Sequence, residues 1–261
     1  MRLILYVMLV FMAAFSVPAS AVDYRLGSGD IVHITVYDHP ELLMDARVDE
    51  QGKINFPLIG GVPVAGETAT TAQKLIENRL SKGGFLKNPQ VNVIVKQYRS
   101  KQVSVLGQVN HPGKYPLEST STVTDLLAQA GGITLTGADN VILIHQQDGK
   151  SKKIGIDTQS LFQGGQFNLN HQVGDGDVIY VPRAAVFYIY GEVQKPGAYR
   201  LEKDMEVMQA LSLAGGITPR GTQRGIQIRR HDADGKSVTL DAKLTDPVQA
   251  DDVVYVKESL F

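Results

Sequence analysis

Between Ile31 and Tyr37 apolar and polar side chains alternate, so that Val32, Ile34 and Val36 share one face and Ile31, His33, Thr35 and Tyr37 the other. That period of two predicts a strand with its Val-Ile-Val face in a core, opened by Gly29-Asp30 and ended by Asp38-His39-Pro40. Glu50-Gln51-Gly52-Lys53 is a turn signal between Arg47-Val48 and the run from Ile54 to Phe56, which predicts a hairpin. The stretch from Pro57 to Gly66, rich in proline and glycine, reads as short strand pieces and turns. The period then becomes helical. Ala72, Leu75, Ile76 and Leu80 fall on one side of a helix capped by Thr70 or Thr71 and stopped by Gly83-Gly84, and Val91, Val93 and Val95 alternate in a closing strand.

The next two patterns are copies of each other. Residues 103–134 and 187–218 align without a gap at an offset of 84, with 14 of 32 positions identical. Chance would give about two, at a match rate of roughly one in sixteen, so the segment is a duplicated module. Each copy has a β-branched or aromatic run, then Pro112-Gly113 or Pro196-Gly197, then a short alternating stretch. The Pro-Gly pairs are expected at the centre of a type II turn, with proline presetting φ and glycine accepting a positive φ. Val123, Leu126, Leu127 and Ala130 follow at helical spacing, as do Val207, Ala210, Leu211 and Ala214. Thr122 and Asp204 are the expected N-caps, and Gly131 and Gly215 the left-handed C-terminal residues. A polar-tipped hairpin comes next in each copy (Gln147-Asp148-Gly149; Asp234-Gly235), and Asp177 and Asp252 each open a closing apolar strand. Residues 159–173 are expected to be a loop. The fold class is α+β: three small units in tandem, each a mixed sheet with one helix on a face. The expected boundaries are 22–100, 101–183 and 184–261.

Composition narrows the chemistry. Arg2 precedes a fifteen-residue apolar run from Leu3 to Val17, broken only by Ser16, and Ala19-x-Ala21 is a small-residue cleavage signature. A bilayer span needs about 20 apolar residues, so residues 1–21 are expected to be a signal peptide removed after Ala21. The remainder keeps 25 basic and 27 acidic residues, a net charge of −2. No Lys/Arg run or stripe stands out, which argues against nucleic acid as a partner. The absence of cysteine excludes disulfides, thiolate metal sites, cysteine nucleophiles and lipidation through that residue.

Asp175 and Asp177 could be a carboxylate pair for glycoside hydrolysis. However, Asp30, Asp177 and Asp252 all stand directly before an apolar strand, and a feature shared by three units points to turn chemistry, with the carboxylate bonding nearby backbone N–H groups. His33, His39, His111, His145, His171 and His231 show no metal-ligand spacing. There is no Gly-x-Ser-x-Gly, and Gly131-Gly132 and Gly215-Gly216 follow a helix, with no Gly-Lys-Ser/Thr after them. No catalytic, cofactor or metal residue is therefore assigned. Tyr180 and Tyr255, at equivalent strand positions, are expected to pack in a core or an interface rather than to stack on sugars.

The first unit's LGSGDIVHITVYDHPEL, followed by VDEQGKINFPLIGGVPVAGET, resembles the polysaccharide export domain of bacterial outer-membrane exporters, the Wza-like group. The matching residues are Gly29-Asp30, Pro40-Glu41-Leu42, Gly52 to Gly60 and Gly66-Glu67-Thr68. The two repeats resemble the soluble-ligand-binding β-grasp (SLBB) modules that follow this domain there. The resemblance implies a non-enzymatic, ring-forming, homo-oligomeric conduit for exported polysaccharide, either exopolysaccharide or capsule. It also implies an inner-membrane polysaccharide copolymerase as a partner. Without a cysteine or a C-terminal amphipathic helix, the chain is similar to the short members, for which a separate outer-membrane β-barrel partner and a periplasmic location are expected. The alternative is a secreted carbohydrate-binding or adaptor protein with no conduit role.

Overall fold

The structure, a computed structural model, describes residues 24–259 apart from 119, 148 and 233. The expected leader with Ala19 and Ala21, and the hairpin-tip residue Asp148, lie outside the described residues. The chain divides into two compact units. One holds the described residues up to Gln102 with Pro116–Thr120, and the other holds Val103–Tyr115 with the residues from Ser121 onward. The two repeats share the second unit.

In the first unit, β1 (Ile31–Val36) is the centre of a three-stranded antiparallel sheet, between β2 (Met44–Arg47) and β5 (Val91–Gln97). Val32, Ile34 and Val36 are buried as their alternation requires. A second ladder joins β3 (Lys53–Phe56) to β4 (Gly60–Pro63). The Glu50–Lys53 turn is present, with the Asp49 N–H donating to the Lys53 carbonyl at 2.8 Å. Yet the strands it links pair with different partners, so the expected hairpin is replaced by a crossing between two ladders. Helix α1 (Ala69–Lys82) buries Ala72, Ile76 and Leu80 in the core shared by both ladders. Its N-cap is Thr68, whose hydroxyl accepts the Thr71 N–H at 3.1 Å. Thr70 and Thr71 lie inside the helix.

The first repeat contains β6 (Gln102–Gly107), β7 (Gly113–Pro116), β8 (Ser121–Thr122), α2 (Val123–Gln129), β9 (Asn140–Gln147), β10 (Lys150–Asp157), α3 (Thr158–Phe162), β11 (Gln172–Val173) and β12 (Val178–Val181). The second contains β13 (Val186–Gly191), β14 (Gly197–Arg200), α4 (Val207–Leu213), β15 (Gln227–His231), β16 (Ser237–Asp241) and β17 (Val253–Val256). Sheet orders are β10-β9-β12-β6-β7 and β16-β15-β17-β13-β14. In each the first long strand pairs in parallel with the last, β6 with β12 and β13 with β17, across a crossover that carries the helix. The correspondence reaches single bonds. The bridges Val109–Ile133 and Val193–Ile217 sit at the same offset, as do the N–H donations from Asn110 to Gly132 and from Gln194 to Gly216.

Three expectations for the repeats change. Gly113 and Gly197 begin strands, and neither has a positive φ. The Pro-Gly pairs are therefore not type II turn centres; the loop before each is closed by a tyrosine, whose hydroxyl donates 2.5 Å to the His111 carbonyl (Tyr115) or the Lys195 carbonyl (Tyr199). Asp204 takes a left-handed φ of 56° and leaves the N-cap to Glu206. Thr122 does cap α2, in a capping box with Asp125. Residues 159–173 are not simply a loop: α3, a 3-10 turn at Phe167–Leu169 and β11 form there, α3 because the Asp157 carboxylate caps it.

Candidate functional site

Three buried carboxylates secure the ends of the modules. Asp30, Asp177 and Asp252 are fully buried, and each accepts the N–H of the residue three positions earlier, from Gly27, Gly174 and Gln249, at 2.7–2.9 Å. Asp30 also accepts the N–H groups of Arg99 and Ser100 and the hydroxyls of Tyr24 and Ser100, while Gly29 beside it turns with φ 97°. Burial pushes the Asp30 carboxyl up, but the bonds from Gly27, Tyr24, Arg99 and Ser100 outweigh it and hold it below the ordinary carboxylate range. In the repeats the partner varies. His145 Nδ1 lies 2.8 Å from Asp177, and at the register-equivalent position Arg230 donates two bonds to Asp252 at 2.8 and 2.6 Å. That guanidinium is held above its usual value, chiefly by the bond to Asp252. A carboxylate so enclosed by donors has no lone pair directed to a substrate, so the glycosidase pairing of Asp175 with Asp177 finds no support here.

The sheet faces opposite the helices are apolar and aromatic. In the first repeat Leu106, Tyr180, Ile142 and Ile144 share that face; in the second Tyr188, Tyr190, Tyr255 and Val253 do. Tyr190 and Tyr255 stack with ring centroids 4.8 Å apart. Tyr180 remains 41% exposed and Tyr255 is only partly buried, so neither is a core residue.

Ion pairs join the two repeats. Arg200, ending β14, donates to both carboxylate oxygens of Asp139 at 2.8 Å and to the Leu135 carbonyl at 3.0 Å. Lys203 reaches the Asp157 carboxylate at 2.9 Å. That bond first, then the Ser160 N–H and hydroxyl, lower the Asp157 carboxyl to about 2. Lys203→Met is expected to move it back toward the ordinary carboxylate value, followed through the Asp157 carboxyl ¹³C shift against pH; an unmoved titration would refute the pairing. Beside these contacts lies a cavity of about 430 Å³ lined by Gln108, Leu135, Thr136, Arg183, Val186 and Arg200. The first unit has a groove of about 560 Å³ with Tyr37, Gln73, Glu77, Gln90 and Asn92 along it.

None of the joining residues was legible as a site, because the partners lie 46 and 61 positions apart. The available signal is divergence between the copies: Arg200 and Lys203 stand where the first repeat has Pro116 and Ser119. Among the described residues no group of His, Asp and Glu side chains is arranged to hold a metal ion. Nor is any described helix long and apolar enough to cross a membrane.

Comparison with known proteins matches three successive regions: residues 18–96 to the family described as polysaccharide biosynthesis/export protein, and 101–181 and 186–241 to SLBB domains. The EPS I polysaccharide export outer membrane protein EpsA of Ralstonia solanacearum is 30% identical over 255 residues, covering 86% of this chain and 67% of that protein. The chain belongs to the polysaccharide export protein family. EpsA of Ralstonia nicotianae is 31% identical over 86% of this chain and 66% of its own length, and the polysialic acid transport protein KpsD of Escherichia coli is 27% identical over 74% and 34%. This family member thus spans about two thirds of the Ralstonia proteins and one third of KpsD. Its fold is α+β with three domain regions in the order export domain, SLBB, SLBB.

Proposed function

We propose that the protein is a non-enzymatic part of a polysaccharide export machine, assembling as a homo-oligomeric ring through which polymer passes. The observation that carries this is the order of an export domain and two SLBB domains along one chain, in company with relatives named for polysaccharide export and transport. It works in the periplasm at the outer membrane, between an inner-membrane copolymerase and an outer-membrane β-barrel. The buried aspartates support a structural role, since their oxygens are occupied by donors within their own modules. A conduit wall needs rigid bricks and many weak polar contacts, because a polymer held at one tight site would stall.

The aromatic faces of the repeats are the surfaces assigned to neighbouring subunits. Gene deletion is expected to abolish surface polysaccharide and leave precursor inside the cell; unchanged surface polymer would refute the export role. The mass of the leaderless protein in solution, alone and with its copolymerase, tests the ring separately. Tyr190→Glu or Tyr255→Glu should shift an oligomer to monomer without unfolding, because each places a charge on an exposed face. A strict monomer under all conditions would exclude the ring.

A further inference from the structure

The cavity between the repeats has a one-sided chemistry. Arg183 and Arg200 line it, and a guanidinium can only donate. The Gln108 carbonyl oxygen accepts the hydroxyls of Thr136 at 2.7 Å and Thr134 at 3.5 Å, so its amide donors are the part left to offer. Among the described residues no carboxylate lines the cavity, and Asp139, the partner of Arg200, is occupied by that guanidinium. Arg183 makes no side-chain hydrogen bond or ion pair among the described residues. Leu135, Ala184 and Val186 supply an apolar wall beside these donors. A volume of about 430 Å³ falls in the range of small-ligand sites, which favour domain junctions.

We infer that this cavity is a subsite for a carboxylate-bearing sugar unit, a hexuronate type of residue, whose carboxylate meets Arg183 and whose ring lies along Leu135 and Val186. Guanidinium and carboxylate geometries match for paired hydrogen bonds, and a neutral sugar would leave the guanidinium without a counter-charge. The inference deepens the export reading, since it names the class of polymer, and it rests on that reading for its biological meaning. Arg200 is positioned by Asp139, so it is a fixed donor at the rim and Arg183 is the adaptable one.

The test uses the leaderless protein in an NMR titration with three probes: trigalacturonate, the neutral galactose trimer and inorganic phosphate. Trigalacturonate should bind saturably, with shifts at Gln108, Thr136 and Val186, at least about tenfold more tightly than the neutral trimer or phosphate. Arg183→Ala, a change at an exposed side chain, should weaken it by about tenfold or more, while Arg183→Lys should recover part of the loss. Equal binding of the neutral trimer would overturn the charge recognition, equal binding of phosphate would overturn the sugar recognition, and an unaffected Arg183→Ala or no saturable binding would overturn the site. Those failures are separate from failure of the export role, which the deletion strain reads without reference to this cavity.

Discussion

Asp30→Ala is expected to remove much of the stability of the first unit and lower its melting temperature by more than about ten degrees. The carboxylate is fully buried and accepts three backbone N–H groups and two hydroxyls, from Gly27, Arg99, Ser100 and Tyr24. Each buried donor left unmet costs about 1–3 kcal/mol. Losing several partners at once is therefore on the order of 4 kcal/mol or more, against a typical domain stability of about 5–15 kcal/mol. The loss should appear as a separate low-temperature transition in far-UV circular dichroism. A melt within about two degrees of wild type, where 1 kcal/mol moves a domain of this size by several degrees, would show that Asp30 is dispensable.

The same residue sets a pH dependence whose sign follows from its lowered carboxyl. An unfolded aspartate titrates near about 3.9, so between that value and the lower folded one the unfolded chain binds more protons. Stability from Asp30 is then fully present above about pH 4 and disappears as pH falls through the folded value. Urea unfolding of wild type and Asp30→Asn across pH 3 to 6 should show the wild-type advantage shrinking toward the acid end. A constant difference would mean that charge plays no part.

What local patterns made readable, and what they did not, divides along contact range. The alternation of Val32, Ile34 and Val36, the helix faces of α1, α2 and α4, and the duplicated module all rest on spacing within one element, and the structure follows them. The turn role of the three aspartates was also readable, because a short polar side chain before an apolar strand recurs in every unit. Helix starts were less so: Thr68 and Glu206 take the caps from Thr70 or Thr71 and from Asp204, since a cap depends on which residue leaves helical φ/ψ, and several polar residues compete. The pairing of β2 with β1 and of β3 with β4 could not be seen in a turn signal alone. The cavity at the repeat junction combines Gln108, Thr136, Arg183 and Arg200 from four separate stretches, which only the tertiary fold assembles.

Gly107→Ala and Gly191→Ala are expected to be among the most damaging single changes in the repeats, while Gly113→Ala and Gly197→Ala should be nearly neutral. Gly107 has φ 89° and Gly191 φ 91°, and an added Cβ would stand 2.0 Å from the Val181 carbonyl oxygen or 2.2 Å from that of Val256. Those oxygens accept the N–H groups of Gln108 and Glu192 at 2.8 and 3.0 Å, where the parallel pair β6–β12, and likewise β13–β17, closes. The intruding atom meets backbone, so it can be admitted only by opening the ladder. Strained φ and a lost hydrogen bond together come to about 3 kcal/mol or more. At Gly113 a Cβ meets nothing within 4 Å, at Gly197 only the Tyr199 ring at 3.9 Å, and neither φ is left-handed. Alanine there should stay within about 0.5 kcal/mol of wild type. Chemical unfolding of the four variants ranks them directly. A type II turn at Pro112-Gly113 would put a comparable cost at Gly113, so the order of the midpoints decides where each repeat requires a residue without a side chain.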